Sequence, residues 1–165
     1  LVTKAIMATV PGWDPEAKTV YQPNLKADSH PIVRAVALAD LGTGGIDGRD
    51  FAKEGDPLFR EENLDIAAAI RNAKTHSDIS TDQQETYKGR MLGWSRSQAG
   101  FVRGRKQRLE LELGNLDTVL KTRVRLILFI GFEKAAQAAD ELVAQRENLP
   151  FWEVARAMGY SVPTE

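Results

Sequence analysis

The sequence predicts an all-α protein, and three observations carry that prediction. Apolar residues recur at steps of three and four along most of the chain. Helix-starting residues and prolines precede these stretches, and glycines follow them. No stretch of convincing length alternates apolar and polar residues with period two. The chain has 165 residues, 42% of them hydrophobic, which suffices for one core. We therefore predict a single helical domain over 1–165.

The first half contains four predicted segments, of which the first is a helix or a strand and the others are helical. Residues 3–10 form a short helix or strand that Pro11 and Gly12 end. A helix begins at Pro31, since proline suits a first turn and Asp28 or Ser29 can accept its free amide hydrogens. One of its sides carries the mainly apolar set Ile32, Val33, Val36, Ala37, Asp40 and Leu41, and Gly42 ends it.

Residues 49–55 make one or two further turns. Another helix then follows, in which Asp56 caps the start and Pro57 takes the first position.

The second half is predicted to contain longer helices. One begins at Ser80, which forms a capping box with Gln83. Its stripe comprises Tyr87, Met91, Trp94, Gln98, Phe101, Arg105, Leu109, Leu113 and Leu116. After a break at 114–117, the C-terminal helices occupy 117–159. They are a long apolar helix over 117–146 and a short one between Pro150 and Gly159.

Composition excludes several classes of function. The formal net charge is −1, so the chain has no overall field for nucleic acid, and we expect no nucleic-acid partner. The most apolar stretch, 124–132, is half the length of a membrane span, and we expect no membrane partner. The absence of cysteine excludes disulfides and thiolate nucleophiles, and it favours a reducing, cytoplasmic location. A homo-oligomer stays open.

The stretch "ALADLGTGGIDG" (37–48) places Asp40 before four glycines. A phosphate-binding loop does not fit, because these glycines follow the C-terminal, negative end of a helix. They are typical of a helix stop and a mobile loop. Asp40 opposes the same dipole, so one interpretation is that a metal ion or an arginine offsets this cost. The other is that its carboxylate caps amide hydrogens of the loop.

Arg105 interrupts the apolar stripe, where a buried guanidinium is costly unless it is paired. One hypothesis is that it points inward and holds a phosphate or a carboxylate of a ligand. The other is that it snorkels, or that it bonds an acid such as Glu61, Glu62 or Asp65.

Four segments together resemble the later half of a protein of the HD superfamily: "AIMAT" (5–9), "ALADLG" (37–42), "LFREENLDIAAAIRN" (58–72) and "FVRGRKQRLELEL" (101–113). In that family an apolar helix ending in Ala-Thr precedes an Asp-x-Asp-Leu stretch. An Ile-Arg pair and a Gly-Arg pair follow, in the places of Ile70-Arg71 and Gly104-Arg105. The resemblance covers about 5–115 and implies an all-α, HD-like helical bundle.

The resemblance implies a metal-dependent phosphohydrolase of a nucleotide or small phosphoester, with Mn, Fe or Mg as cofactor. Asp40 matches the final metal-ligating aspartate of the family, and Arg71 and Arg105 are the candidate substrate-binding residues. The chain lacks the His-Asp dyad, and Leu38 stands where the first acid of Asp-x-Asp-Leu is expected. A rival alignment places Ala39-Asp40 on the dyad itself.

Two functions therefore stay open. If residues precede Leu1 in the full protein, they supply the other metal ligands and the protein is an enzyme. If they do not, the chain is a catalytically inactive HD-like module that binds a small molecule or a protein partner.

Overall fold

A computed structural model describes residues 1–164 and confirms the all-α prediction, with 68% of residues in helices and 4% in strands. The residues group into two compact units. The first unit comprises Leu1–Phe51 and Ala99–Ala138, and the second comprises Ala52–Gln98 and Ala139–Glu165. No helix within 1–164 combines the length and the apolarity that crossing a bilayer requires.

The elements are, in order, α1 (Val2–Ala8), β1 (Gly12–Asp14), β2 (Thr19–Tyr21), α2 (Pro31–Asp40), α3 (Thr43–Ile46), α4 (Phe51–Glu62), α5 (Leu64–Asn72), a 3₁₀ turn (His76–Asp78), α6 (Thr81–Glu112), α7 (Thr118–Arg123), a π-helical turn (Val124–Leu128), α8 (Phe132–Glu147) and α9 (Phe151–Ala157).

The first unit contains a small hairpin that the sequence did not predict. β1 and β2 pair antiparallel, with Trp13 opposite Val20. Each strand has only three residues, which is too short for an alternating pattern to be recognised. The main core of this unit consists of Leu38, Val102, Leu109, Leu113, Phe129, Phe132, Ala135 and Ala136.

α2 begins at Pro31 as predicted, but neither Asp28 nor Ser29 caps it. Nδ1 of His30 accepts the amide hydrogen of Ile32 at 3.2 Å, so an imidazole performs the capping. The buried side is also rotated from the predicted one. Ile32 and Val36 are exposed, and the buried residues are Val33, Arg34, Ala37 and Leu38.

The second unit has its own core, formed by α4, α5, the first part of α6 and α9. α6 starts where predicted: the amide of Gln83 donates to Oγ of Ser80 at 3.4 Å. Of the predicted stripe, Met91, Gln98, Arg105, Leu109 and Leu113 are buried, and the other four residues are half-buried. The closing helix α9 is also confirmed, with Pro150 at its start and Gly159 beyond its end at φ +82°.

Asp56 is not the helix cap that the sequence predicted. α4 continues through Asp56 and Pro57, and Asp56 is buried. Its carboxylate accepts two hydrogen bonds from Arg146, one of them at 3.0 Å, and Nη1 of Arg146 also donates to Oγ of Ser95 at 2.8 Å. Burial raises the pKa of Asp56, although the bonds to Arg146 act in the opposite direction.

The long helix predicted over 117–146 is interrupted. α7 and the π-helical turn end at Leu128, and α8 begins only at Phe132. Between them, the amide of Gly131 donates to the carbonyl oxygen of Gly45 at 2.6 Å. A tertiary hydrogen bond thus replaces the helical one at this point, and no local sequence pattern signals it.

Candidate functional site

Asp40 lies exposed in the last turn of α2, in the first unit. Its Oδ2 accepts a long hydrogen bond of 3.3 Å from Nε2 of Gln22. The same amide group donates to the carbonyl oxygen of Ala37 at 2.7 Å. No cation lies within ion-pair distance of Asp40 in the part of the chain that the structure describes. The carboxylate therefore faces the negative end of the helix dipole without a compensating charge.

Next to Asp40, the buried side chain of Gln22 leaves its Oε1 without a hydrogen-bond partner. A buried unpaired amide oxygen has a free-energy cost of about 1–3 kcal/mol. Gln22 was not identified from the sequence, because an isolated glutamine between a strand and a proline carries no signal. It connects the hairpin segment to the C-terminal end of α2.

The glycine-rich segment after Asp40 is packed, so the predicted loop is wrong there. Residues 43–46 form the short helix α3, and Gly44 and Gly45 are buried. A Cβ on Gly45 would lie 2.6 Å from Cδ1 of Phe129, and one on Gly48 would lie 2.4 Å from the carbonyl oxygen of Gly131. These glycines allow close packing against residues 129–132.

Arg105 is buried and bonds an acid of the chain itself, which is the kind of contact that the second hypothesis expected. Its Nη1 donates to Oε1 of Glu112 at 2.8 Å and its Nη2 to Oε2 at 2.6 Å. Nη1 also donates to the carbonyl oxygen of Val20 at 2.9 Å. Arg105 and Glu112 are both buried, and none of the acids suggested from the sequence is the partner.

The Gly-Arg pair on α6 fixes the hairpin in place. A Cβ on Gly104 would lie 2.5 Å from the carbonyl oxygen of Ala17 and 2.6 Å from Cβ of Thr19, so only glycine admits the hairpin this closely. One turn further along, Nη1 of Arg108 donates to Oδ2 of Asp14 at 2.7 Å, and its guanidinium lies 4.5 Å from the centre of the Tyr21 ring.

Asp14 is held ionised by its surroundings. The amide of Ala17 lowers its pKa most, and the amide of Glu16 and the guanidinium of Arg108 add to that effect. The carboxylate thus stabilises the hairpin turn and the contact with α6 together.

A second buried arginine, Arg34, joins the same network. Its Nη1 donates to the carbonyl oxygen of Glu112, and its Nη2 donates to those of Ala27 at 2.9 Å and Lys26 at 3.0 Å. Burial lowers the pKa of the Arg34 guanidinium. Arg34 occupies a buried position next to Val33 on α2. A correct prediction of the buried face of α2 could have identified Arg34 from the sequence.

Arg71 lies exposed in the last turn of α5, in the second unit, whereas Asp40 and Arg105 belong to the first. No carboxylate within 1–164 pairs with it. Its guanidinium is therefore available to an anion.

The described residues do not by themselves fit a catalytic metal ion. Among residues 1–164, no group of three or more histidine, cysteine, aspartate or glutamate side chains is placed to hold a metal. Asp40 supplies one carboxylate, which accepts a hydrogen bond from the side-chain amide of Gln22. A catalytic zinc or related ion takes at least three protein ligands.

Comparison with protein-family models, curated proteins and solved structures finds no match to this chain. The resemblance to the HD superfamily stays a prediction from the four segments quoted above.

Proposed function

We propose that this chain is part of an HD-like metal-dependent phosphohydrolase that acts on a nucleotide or a small phosphoester, and that Asp40 is one of its metal ligands. The supporting observation is the exposed, uncompensated carboxylate of Asp40 at the C-terminal end of α2. A carboxylate there has an electrostatic cost of some 0.3–1 kcal/mol, which a bound cation offsets. Mn, Fe or Mg suits an oxygen ligand of this kind.

This proposal assigns only part of a site to the described residues. Because residues 1–164 hold no group of three ligands, a catalytic metal requires further ligands from other residues of the full protein or of a partner. Arg71 has a guanidinium available for a phosphate group, whereas Arg105 would first have to release Glu112.

A catalytically inactive HD-like module is the second candidate, and the incomplete ligand set favours it. In that case the buried network of Arg34, Arg105 and Glu112 is purely structural. The module would bind a small molecule or a protein through its surface.

Manganese binding separates the two candidates. We would titrate the chain, in its full natural protein, with Mn²⁺ and measure binding by calorimetry and by electron paramagnetic resonance. Under the proposal, Asp40→Asn weakens Mn²⁺ binding by about tenfold or more. The matched control is Asp28→Asn, which removes an exposed acid before the other end of α2 and leaves binding unchanged.

Equal Mn²⁺ affinity in Asp40→Asn and the parent would remove Asp40 from the ligand set. No binding by the parent, together with no hydrolysis of p-nitrophenyl phosphate, would favour the inactive module.

A further inference from the structure

A pocket of about 640 Å³ opens on the first unit, between the C-terminal half of α6 and the segment that runs from the π-helical turn to the start of α8. Small-molecule sites have volumes of roughly 300–1,000 Å³, so the pocket has a suitable size for a ligand. Leu109, Phe129 and Phe132 line it, are buried and give it an apolar base. Asp40 does not line it, so the pocket is separate from the metal site proposed above.

Two large apolar side chains that line this pocket are exposed to water. Leu126 and Ile130 are 63% and 65% exposed. Apolar side chains exposed together at a concave surface are typical of a ligand-binding groove. The apolar body of a ligand in the pocket would cover both side chains.

Two ion pairs connect the walls of the pocket. Nζ of Lys106 on α6 donates to Oε1 of Glu133 on α8, and the guanidinium of Arg125 in the π-helical turn pairs with Glu110 on α6. All four side chains line the pocket, and Lys106 and Glu110 lie about one helical turn apart. Exposed ion pairs are weak, so a charged group of a ligand can replace one member at little cost.

The part of the pocket around Lys106 stabilises a carboxylate. The hydrogen bond from Lys106 lowers the pKa of Glu133 most, and the charge of Arg103, which also lines the pocket, adds to that effect. Two cations of α6, three residues apart, therefore act on one anion. The side chain of Glu133 is itself 74% exposed, so it is held mainly by this contact and little by packing. Its carboxylate thus marks a position that a ligand carboxylate can take.

We propose that this pocket binds a small carboxylic acid with an apolar body, such as a medium-chain aliphatic acid. The ligand carboxylate replaces that of Glu133 at Lys106 and Arg103, and the apolar body covers Leu126 and Ile130. A cationic amphiphile fits less well, because Lys106 and Arg103 repel it. Binding at this pocket needs neither a metal ion nor Asp40, so it goes beyond the proposed function and is tested independently of it.

Calorimetric titration of the full natural protein with aliphatic acids, below their micellar concentrations, tests the binding. The parent is expected to bind decanoate more tightly than octanoate, by about fourfold for each added methylene group. It is expected to bind 1-octanol, which has the chain length of octanoate and no charge, about threefold more weakly than octanoate. No binding of decanoate, or equal affinity for octanoate and 1-octanol, overturns the proposal.

The two members of the ion pair should change the affinity in opposite directions. Lys106→Gln weakens the binding of decanoate by about threefold, whereas Glu133→Gln strengthens it by about threefold because the competing carboxylate is gone. The matched control is Glu16→Gln, which removes an exposed acid of the same unit outside the pocket and leaves the affinity unchanged. If Glu133→Gln binds decanoate no better than Glu16→Gln does, the ligand does not replace the Glu133 carboxylate and the proposal fails.

Two isoleucines test the apolar contact. Ile130→Ser is expected to weaken the binding of decanoate by about fivefold or more. Ile127→Ser is the matched control, since Ile127 is 70% exposed in the same segment and does not line the pocket. Circular dichroism confirms that each variant folds. Equal effects of the two changes overturn the proposal. So does a loss confined to Leu120→Ser, because Leu120 lines a separate apolar groove against α2.

Discussion

Within residues 1–164, each of the two units contains one buried arginine–carboxylate pair, and the two pairs are built differently. In the first unit, Arg105 and Glu112 lie seven residues apart on α6, two helical turns along one face. In the second, Arg146 on α8 pairs with Asp56 on α4, 90 residues away, and also bonds Ser95 on α6. The first pair therefore lies on the face of α6 that bonds the hairpin, whereas the second pair connects α4, α6 and α8.

This difference indicates that the two pairs have different structural roles. Arg105 donates one of its hydrogen bonds to the carbonyl oxygen of Val20. The pair therefore holds a short hairpin that has little hydrophobic core of its own. Among the described residues, Arg146 and Asp56 bond only to each other and to a hydroxyl group, and the cost of burying Asp56 appears as its raised pKa. The first pair anchors a segment, and the second neutralises charges that the packing has buried.

The largest effect is expected from Arg146→Met, which leaves Asp56 buried without its partner. Removing one member of a buried pair lowers the free energy of unfolding by about 3–5 kcal/mol. Urea denaturation at neutral pH, followed by circular dichroism, measures this loss.

The loss should also depend on pH, and its sign follows from the raised pKa of Asp56. Without Arg146 that pKa rises further, so the folded state keeps a proton that the unfolded state releases above the ordinary value of 3.8. The stability of Arg146→Met therefore decreases, relative to the parent, as the pH rises from about 4 towards the folded pKa. Adding Asp56→Asn should abolish this dependence. A deficit that is the same at every pH would mean that lost packing, and not the orphaned charge, causes the destabilisation.

Replacing both members of a pair should change the stability less than removing one member. The size of this change should differ between the two pairs. Asp56→Leu with Arg146→Met should have nearly the parent's stability, because apolar side chains of similar size often replace a buried ion pair at no cost. Arg105→Met with Glu112→Leu should stay about 0.5–1.5 kcal/mol less stable than the parent, because the carbonyl oxygen of Val20 loses its donor. Urea midpoints of the four single and two double variants measure the difference. Equal recovery in both units would contradict an anchoring role for Arg105.

These two pairs also show how far the sequence could predict the molecule. The stripe on α6 placed Arg105 in line with the buried residues of that helix, since helical periodicity is a local property, but it left open whether the guanidinium points inward. Glu112 lies on the same face of α6, seven residues after Arg105. Extending the helical periodicity to residue 112 could therefore have identified it as the partner of Arg105. Nothing local could connect Asp56 to Arg146, and the Asp-Pro pair imitated a helix start because such pairs commonly occur there.

The candidate site was predicted less completely than the helices, for a similar reason. Asp40 was singled out because a carboxylate in the last turn of a helix opposes the helix dipole, and the resemblance to the HD superfamily then made it the candidate metal ligand. Its neighbour Gln22, and the contact of Gly45 with Gly131, depend on the tertiary arrangement. The contact of Gly45 with Gly131 also ends the helical segment at Leu128. The apolar periodicity had predicted that the helix continues through 129–131.

Substitutions of two glycines on α6 sharpen the role of the hairpin anchor. Gly104→Ala should lower the free energy of unfolding by about 1–3 kcal/mol, because the added methyl group meets the backbone of Ala17 and the side chain of Thr19. The NMR signal of the Trp13 indole, on β1, should shift as the hairpin moves. Gly93→Ala is the matched control on the same helix, since no atom lies within 4 Å of a Cβ there. It should raise stability by about 1 kcal/mol, the difference in helix propensity between alanine and glycine, and leave Trp13 unchanged. If Gly104→Ala proved as stabilising as Gly93→Ala, the close approach of the hairpin to α6 would be refuted, and with it the anchoring role given to Arg105.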